Sequence, residues 1–518
     1  MTLRARFERA ITAYSWIAAA VVLLVGLSVI DTLPVGVAQD DGWYLILAKS
    51  LATGQGYRWI NLPGAPVATH FPPGYPGVLA LVWWLVPAFP ANVLLFKALN
   101  ACFLAISAGV LAVLARRRLG FERGSAALLA IAACIGIPTL VLSTMLMSEP
   151  FFLALLLPAL LVAERVVDGE RRMHWVISAG ALAGTATLIR THGIAFIAAL
   201  LCMLLIRRRS RDAALAALSA FVVLLPWQLW AHAHDGVVPI SMRGTYDSYA
   251  TWFTDGLRAE GPSLIARTIP RTSAEIAAMF ATLGAPSWPA AVRVIVLVVL
   301  ATLFVFGARR FWRAAPTTLL FMASYTGIVV LWPFNPARFI WGIWPLVVLL
   351  AVVGAREIAA SAPTTTSART LRYAAIAATL VVSVGYLRYN TRGYRGRWWS
   401  SIARQQTRIA QPLVVWARTR TRPDEVIASS VEPLVYLYSG RRTVSATSFT
   451  YRYYFRPATV SENEAVLRDV MSAYRVDAIA VVANDSLGAA AQAMATRNPP
   501  ELVLRDTLAN GLIFTPAR

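Results

Sequence analysis

An apolar run near the start of the chain reads Trp16-Ile-Ala-Ala-Ala-Val-Val-Leu-Leu-Val-Gly-Leu-Ser-Val-Ile30. It belongs to a longer apolar segment, 11–33, and a helix needs about 20 apolar residues to cross a bilayer. Of the 518 residues, 58% are hydrophobic and 14% are charged, whereas a soluble domain carries about a quarter charged residues. Similar apolar runs recur along the chain, so the sequence predicts a polytopic α-helical membrane protein.

Further apolar runs and the basic residues between them predict the topology. We expect about eleven membrane-spanning helices, over 11–33, 91–115, 124–142, 150–166, 174–189, 193–206, 213–231, 291–307, 315–332, 338–354 and 371–387. Pro76–Pro87 is apolar but spans only about a dozen residues, which is typical of an interfacial or re-entrant helix. Leaving it out places every arginine-rich connection on the side of the N-terminus, and the positive-inside rule makes that side cytoplasmic.

The net charge of +22 invites a nucleic-acid interpretation. We exclude it because the basic residues form short clusters between apolar runs, as in cytoplasmic loops. The three cysteines lie inside apolar runs, so we expect no disulfide. We expect a plasma-membrane protein of bacteria with a cytoplasmic N-terminus and an uncleaved first span.

The predicted outer side holds two long loops, 34–90 and 232–290, and the tail. We therefore expect a transmembrane catalytic domain over 1–387, with interfacial helices in its first loop, and a small extracytoplasmic α/β domain over 388–518. In the tail, apolar β-branched runs at Val426, Thr443 and Ala478 predict strands, with helices between them at Pro433 and Glu464.

Two acids stand together where the first span ends, in Val37-Ala-Gln-Asp-Asp-Gly-Trp-Tyr44. Acids at a helix start cap free amides and complement the helix dipole. Helix capping explains one acid at this position better than two. The alternative explanation is catalysis, because a carboxylate can act as a general base. We interpret Asp40 and Asp41 as catalytic.

Other polar residues at the outer ends of spans are Lys49, Lys97, Glu149, Arg190, His192 and Arg338. Taken singly, these residues have ordinary structural explanations. Glu149 is an acid in the first turn of a helix, and the long cationic side chains extend to the polar membrane interface. Together, three cations with several acids suit a negatively charged substrate. The prolines predict a rigid turn over His70-Phe-Pro-Pro-Gly-Tyr-Pro76. Its histidine caps the local structure, hydrogen-bonds a substrate or binds a metal.

These motifs resemble the GT-C superfamily of membrane glycosyltransferases, and in particular the protein O-mannosyltransferases and the bacterial lipid A aminoarabinose transferase. The resemblance rests on Asp40-Asp41-Gly-Trp-Tyr44, the His70–Pro76 turn and Lys97. Ser148-Glu-Pro150, Arg190, Arg338-Phe-Ile340 and Leu434–Arg441 also look like family features. The second acid is commonly Glu in relatives and is Asp41 here, which leaves open which acid is the base.

The resemblance implies transfer of a sugar, a hexose or a pentose, from a polyprenyl-phosphate donor to a cell-envelope acceptor at the outer face. Asp40 would be the base, with inversion, while Asp41 and Glu149 complete the catalytic set. Lys97, Arg190 and Arg338 would bind the donor phosphate, and Tyr44, His70, Tyr75 and His192 the substrates. This scheme requires no metal, although Asp40, Asp41 and Glu149 offer oxygens suited to Mg²⁺ or Mn²⁺. A transporter or a non-catalytic envelope assembly protein is the alternative; the sugar and acceptor stay open.

Overall fold

The computed structural model describes residues 3–234, 236, 238–286, 288–361 and 365–517. The end residues of the two predicted domains, 1 and 518, lie outside the described residues, as do 235, 237 and 287 of the predicted second loop. The α-helices are Leu3–Ser28, Asp40–Ala52, Gly74–Leu85, Val93–Leu119, Arg123–Cys134, Ile137–Thr144, Glu149–Val167, Met173–Ile189, Ile194–Ile206, Ser210–Ala233, Arg243–Tyr246, Tyr249–Glu260, Pro262–Gly284, Ala290–Ala314, Pro316–Leu331, Ala337–Gly342, Trp344–Ala360, Thr366–Gly396, Ser401–Arg420, Glu432–Ser439, Val460–Tyr474 and Ser486–Ala495.

The structure does not confirm the predicted number of eleven membrane-spanning helices. Within the described residues, five helices are long and apolar enough to cross a membrane: Val93–Leu119, Glu149–Val167, Ser210–Ala233, Ala290–Ala314 and Thr366–Gly396. The predicted span 124–142 is two helices that bend by 57° around Ile135 and Gly136. Several other predicted spans form apolar helices of 17 residues or fewer, so the count of about eleven is not confirmed.

The surface of the long helices suits lipid. Val294, Val298, Leu380 and Leu387 are 59–66% exposed, although all four are large and apolar. Many large apolar side chains exposed to this extent on long apolar helices are unfavourable in water and are typical of a membrane-facing side. The chain is therefore a membrane protein with an apolar helical part.

The described chain divides into two compact units. The first, which we call the helical unit, consists of 3–30, 97–225 and 265–399. The second, the mixed unit, consists of 31–96, 226–264 and 400–517. The mixed unit thus combines most of the predicted first outer loop, part of the second and nearly all of the tail.

The tail folds into the predicted α/β arrangement, with a five-stranded sheet. Its strands are β1 (Val426–Ser429), β2 (Arg442–Ser445), β3 (Ala478–Val482), β4 (Leu502–Thr507) and β5 (Gly511–Pro516). The order is β2-β1-β3-β5-β4, in which β1 runs parallel to β2 and β3, and the hairpin β4–β5 pairs antiparallel with β3. Ile427, Ala480 and Ile513 pack with Leu413 and Trp416 of the preceding helix in one buried core.

The apolar segment that we predicted as interfacial forms the helix Gly74–Leu85. Its 12 residues extend about 18 Å at 1.5 Å per residue, which is shorter than the roughly 30 Å of a hydrocarbon core. Leu81, Trp84 and Leu85 are 61–70% exposed on this helix. The segment is thus a short apolar helix, and its position at the membrane interface stays a prediction.

Candidate functional site

The two adjacent acids have different surroundings in the mixed unit. Asp41 is fully buried, and its Oδ2 accepts the backbone N–H groups of Gly36 (2.6 Å) and Val37 (3.1 Å). Its Oδ1 accepts the N–H of Ala38 at 2.9 Å. Burial raises the pKa of Asp41 to about 6, and these three donors oppose that rise. The Asp41 carboxylate therefore holds the loop that precedes the helix Asp40–Ala52.

Asp40 is partly exposed at the start of the same helix. The residue before it, Gln39, has φ 66° and ψ −65°, and the Asp40 N–H donates to the Ala38 carbonyl at 2.9 Å. This is a γ-turn of the rare, strained form, and strained backbone in a folded protein tends to occur at functional sites. The turn presents Asp40 while Asp41 is held inside.

His70 lies near Asp40. Its Nδ1 donates to the backbone carbonyl of Asp247, and its ring packs on Tyr249 at 4.2 Å between centroids. Burial lowers the pKa of His70, while the Asp247 carbonyl and the Asp40 carboxylate act in the opposite direction. The predicted substrate-binding residue His70 thus responds to the charge of Asp40.

Tyr44 and Tyr75, the two predicted substrate-binding tyrosines, are both buried. Their rings meet edge to face at 5.1 Å, and Tyr44 also packs on Phe71 at 4.7 Å. These contacts fasten the helix Asp40–Ala52 to the proline-rich segment at Phe71 and to the helix Gly74–Leu85 at Tyr75. Their part in substrate binding stays a prediction.

A buried glutamate that the sequence reasoning missed also contacts this helix. Glu432 accepts hydrogen bonds from Trp43 Nε1 (3.0 Å) and Asn61 Nδ2 (2.5 Å), and from the Tyr246 hydroxyl. Burial raises the pKa of Glu432 to about 8, while the hydrogen bonds from Trp43 and Tyr246 act in the opposite direction. The sequence does carry a signal, because Glu432-Pro433 repeats the Glu-Pro pair of Glu149-Pro150.

In the helical unit the structure brings three of the predicted site residues together. Glu149 is 1% exposed, and its Oε1 lies 2.9 Å from Arg190 Nη1 and 2.8 Å from Arg338 Nε. Arg190 also donates to the Ser148 hydroxyl at 2.8 Å. Two guanidinium groups share one carboxylate, so the cluster has a net charge of +1. Sequence reasoning grouped these residues but did not foresee that both arginines pair with Glu149.

Lys97 and His192 complete the predicted set in the helical unit. Lys97 is buried at 2% exposure in the helix Val93–Leu119. The His192 ring stacks on Phe339 at 4.7 Å and lies 5.5 Å from the Tyr325 ring. Roles in binding phosphate for Lys97 and substrate for His192 stay predictions.

The described residues contain no group of three or more His, Cys, Asp or Glu side chains that could hold a metal ion. Asp41, one of the oxygen ligands considered above, is occupied by three backbone N–H groups. The reaction scheme without a metal stays a prediction.

Comparison with protein families shows a match over part of the chain. The model for dolichyl-phosphate-mannose-protein mannosyltransferases matches residues 72–230. A comparison with curated protein sequences found no match.

Solved structures share the fold over nearly the whole chain. ArnT from Cupriavidus metallidurans, bound to undecaprenyl phosphate, matches with a TM-score of 0.52 and 13% identity, over 97% of this chain and 98% of that one. The oligosaccharyltransferase AglB from Archaeoglobus fulgidus, in complex with an inhibitory peptide and a dolichol-phosphate, matches with a TM-score of 0.54 and 12% identity, over 91% and 69%. An oligosaccharyltransferase from the same organism in complex with Zn and sulfate matches with a TM-score of 0.54 and 13% identity, over 90% and 68%.

The fold is therefore that of a polytopic membrane protein with an appended α/β domain, as in these structures. The chain is thus similar to dolichyl-phosphate-mannose-protein mannosyltransferases over residues 72–230, and it shares the fold of ArnT and AglB.

Proposed function

We propose that this protein transfers a sugar from a polyprenyl-phosphate-linked donor to a hydroxyl or amine of a cell-envelope acceptor at the outer face of the bacterial plasma membrane. The acceptor is a lipid, a polysaccharide end or a protein side chain, and the N-terminus is cytoplasmic. The ArnT and AglB structures, which contain undecaprenyl phosphate and a dolichol-phosphate, support the lipid-phosphate donor.

The observation that carries the proposal is the contrast between the two adjacent acids. Asp41 is fully buried and accepts three backbone N–H groups, whereas Asp40 is partly exposed beside a strained turn. A general base must reach the proton of its substrate. Asp40 is therefore the base, and Asp41 is a positioning residue that fixes the loop leading to it.

The cluster of Glu149, Arg190 and Arg338 supports the donor side of the reaction. Its net charge of +1 favours an anion, and guanidinium groups match the geometry of phosphate oxygens. We assign Arg190, Arg338 and the buried Lys97 to the donor phosphate. Glu149, which the sequence analysis placed in the catalytic set, then holds both arginines in place.

The step is one displacement at the anomeric carbon. The acceptor oxygen or nitrogen forms a bond to this carbon while its proton passes to Asp40. The bond from the carbon to the phosphate oxygen breaks, and its electron pair leaves with the polyprenyl phosphate. The cations stabilise this departing charge. A single displacement inverts the anomeric configuration, whereas a covalent route with two carboxylates retains it.

The test follows polyprenyl phosphate release by the purified, lipid-reconstituted protein. A panel of polyprenyl-phosphate sugars is offered beside the matching nucleotide sugars, with envelope extract as acceptor. We expect one lipid-linked sugar to be consumed and no nucleotide sugar. Asp40→Asn should lower this rate by about 10²–10⁴-fold, which is the range of a general base.

Asp31→Asn is the matched control, because Asp31 lies in the same loop and accepts the Leu33 N–H at 3.2 Å, which an amide oxygen also accepts. It should keep nearly the wild-type rate. Consumption of a nucleotide sugar, or equal rates for Asp40→Asn and wild type, would contradict the proposal.

A further inference from the structure

A cavity in the mixed unit takes no part in the function proposed above. Its volume is about 480 Å³, and its lining residues are Lys49, Ala52, Thr53, Trp83, Trp84, Pro87, Phe89 and Leu437. It shares no residue with the Glu149 cluster or the acid pair. Apart from Lys49 and Thr53, its walls are apolar or aromatic, and such a cavity with one cation suits an amphipathic anion.

The cation in this cavity is one of only two lysines in the chain. The Lys49 Nζ lies 5.1 Å from the centre of the Tyr436 ring and 6.0 Å from that of Trp83. Among the described residues, no carboxylate forms an ion pair with Lys49. Burial lowers the pKa of Lys49, so a bound anion would offset an unfavourable environment for the charge. The cation–π contacts with two rings compensate only part of the cost of burying the ammonium charge.

The wall beside Lys49 is the short apolar helix Gly74–Leu85. Trp83 of this helix is buried and stacks on Phe89 at 5.4 Å, while Trp84 is 70% exposed at the cavity edge. Leu81 and Leu85 extend the exposed apolar surface. Tryptophan is enriched where proteins meet the headgroup region of a bilayer. The cavity therefore combines a cation with a surface suited to the membrane interface.

We propose that this cavity binds an anionic phospholipid of the surrounding membrane, with the Lys49 ammonium on its phosphate and its acyl chains along Trp84, Pro87 and Phe89. An ammonium group supplies three donors from a compact charge, which suits a phosphate whose position varies. Lys49 is in the last turn of the helix that begins with Asp40. A bound lipid would therefore fasten the C-terminal end of that helix.

The test measures lipid binding to the full-length protein in detergent by native mass spectrometry. Phosphatidylglycerol, phosphatidylcholine and undecaprenyl phosphate are added separately over a range of concentrations. We expect a tight phosphatidylglycerol site in the wild type that phosphatidylcholine does not fill. Lys49→Gln should weaken it by about fivefold, the worth of one basic residue at an anionic lipid, and Lys49→Arg should retain most of it.

Arg505→Gln is the matched control, because Arg505 also lies over a ring, 5.4 Å from the centre of Trp416, but lines no part of this cavity. It should bind phosphatidylglycerol like the wild type. If Lys49→Gln fails to fold, Trp84→Ala removes an exposed wall residue and should weaken binding instead.

Three results would overturn the proposal. Equal phosphatidylglycerol affinity in wild type and Lys49→Gln would mean that Lys49 does not bind the lipid phosphate and only contacts the aromatic rings. Equal filling by phosphatidylcholine would remove the need for an anion. Tighter binding of undecaprenyl phosphate than of phosphatidylglycerol, lost in Lys49→Gln, would assign the cavity to the polyprenyl carrier.

Discussion

The two units hold the buried carboxylates of the candidate site and its surroundings, Glu149 on one side and Asp41 and Glu432 on the other, in opposite ways. In the helical unit, Glu149 is paired with two arginines at 2.8–2.9 Å. In the mixed unit, Asp41 and Glu432 accept hydrogen bonds from neutral donors, namely backbone N–H groups, an indole, an amide and a hydroxyl. Within the described residues, neither Asp41 nor Glu432 forms an ion pair with a lysine, arginine or histidine.

This difference separates the two tasks of the proposed reaction. A departing phosphate needs cations, and the helical unit concentrates two guanidinium groups around one carboxylate. A general base must take up a proton, and a neighbouring cation would oppose that by favouring the ionised carboxylate. The mixed unit uses neutral donors to hold the helix of Asp40, which stabilises the loop without placing an arginine beside Asp41 or Glu432.

The largest effect on stability should come from Glu149→Ala. It removes the shared anion and leaves two guanidinium groups, one of them 7% exposed, without it. Breaking a buried ion pair on one side costs about 3–5 kcal/mol of unfolding free energy. Unfolding in detergent measures this loss. The control is Glu275→Gln, because Glu275 pairs with Arg271 at 3.3 Å on an exposed helix surface, where a pair contributes only about 0.3–0.5 kcal/mol. Equal losses in both variants would contradict the contrast.

Gly42→Ala should have the next effect. A Cβ at Gly42 would lie 2.4 Å from the Cβ of Pro433 and 2.9 Å from the Cα of Gly36. Such overpacking costs about 1–3 kcal/mol and should displace the helix that carries Asp40, so both stability and the transfer rate should fall. Gly77→Ala is the control, since no atom lies within 4 Å of the added Cβ in its helix. If Gly42→Ala behaves like Gly77→Ala, the helix is not held as closely as described.

The smallest effect concerns the pH dependence of stability. Burial raises the pKa of Glu432 from its ordinary value of 4.5 to about 8 in the folded protein, so between these two pH values the folded protein keeps a proton that the unfolded chain loses. The unfolding free energy therefore falls as the pH rises, until about pH 8. Asp41 acts in the same direction only up to about pH 6, and His70 acts oppositely below about 6.5.

Between pH 6.5 and 8 we thus expect Glu432 to lower the unfolding free energy by about 1–2 kcal/mol. Glu432→Gln cannot ionise and should remove this slope, as unfolding curves at several pH values would measure. A slope that is the same in wild type and Glu432→Gln would mean that Glu432 does not titrate in this range.

The sequence predicted those features that depend on local pattern. Apolar length located the long helices, and proline spacing located the turn that holds His70. The Ala-rich helix Ser486–Ala495 and the hairpin β4–β5 were missed. The residues Val503, Leu504 and Arg505 of β4 are exposed, so that strand lacks the alternation by which a half-buried strand is identified.

The sequence also predicted which side chains carry charge near the site, but not how they pair. Glu149 and Arg338 are 189 residues apart in the chain, and no spacing rule joins them. The difference between Asp40 and Asp41 depends on three backbone N–H groups converging on one of two adjacent carboxylates, which only the folded loop decides. Glu432 was missed for the same reason, since its donors come from distant segments.

Chemical rescue tests most directly whether Asp40 is the base. Asp40→Ala and Asp41→Ala would be prepared in lipid, and transfer from the consumed donor would be measured in a single turnover with increasing sodium formate. The account predicts that Asp40→Ala is nearly inactive and that formate, which can take up the acceptor proton in its place, restores transfer in proportion to its concentration. Asp41→Ala should lose stability and show no such restoration. A wild-type rate in Asp40→Ala, or rescue of Asp41→Ala instead, would contradict the account.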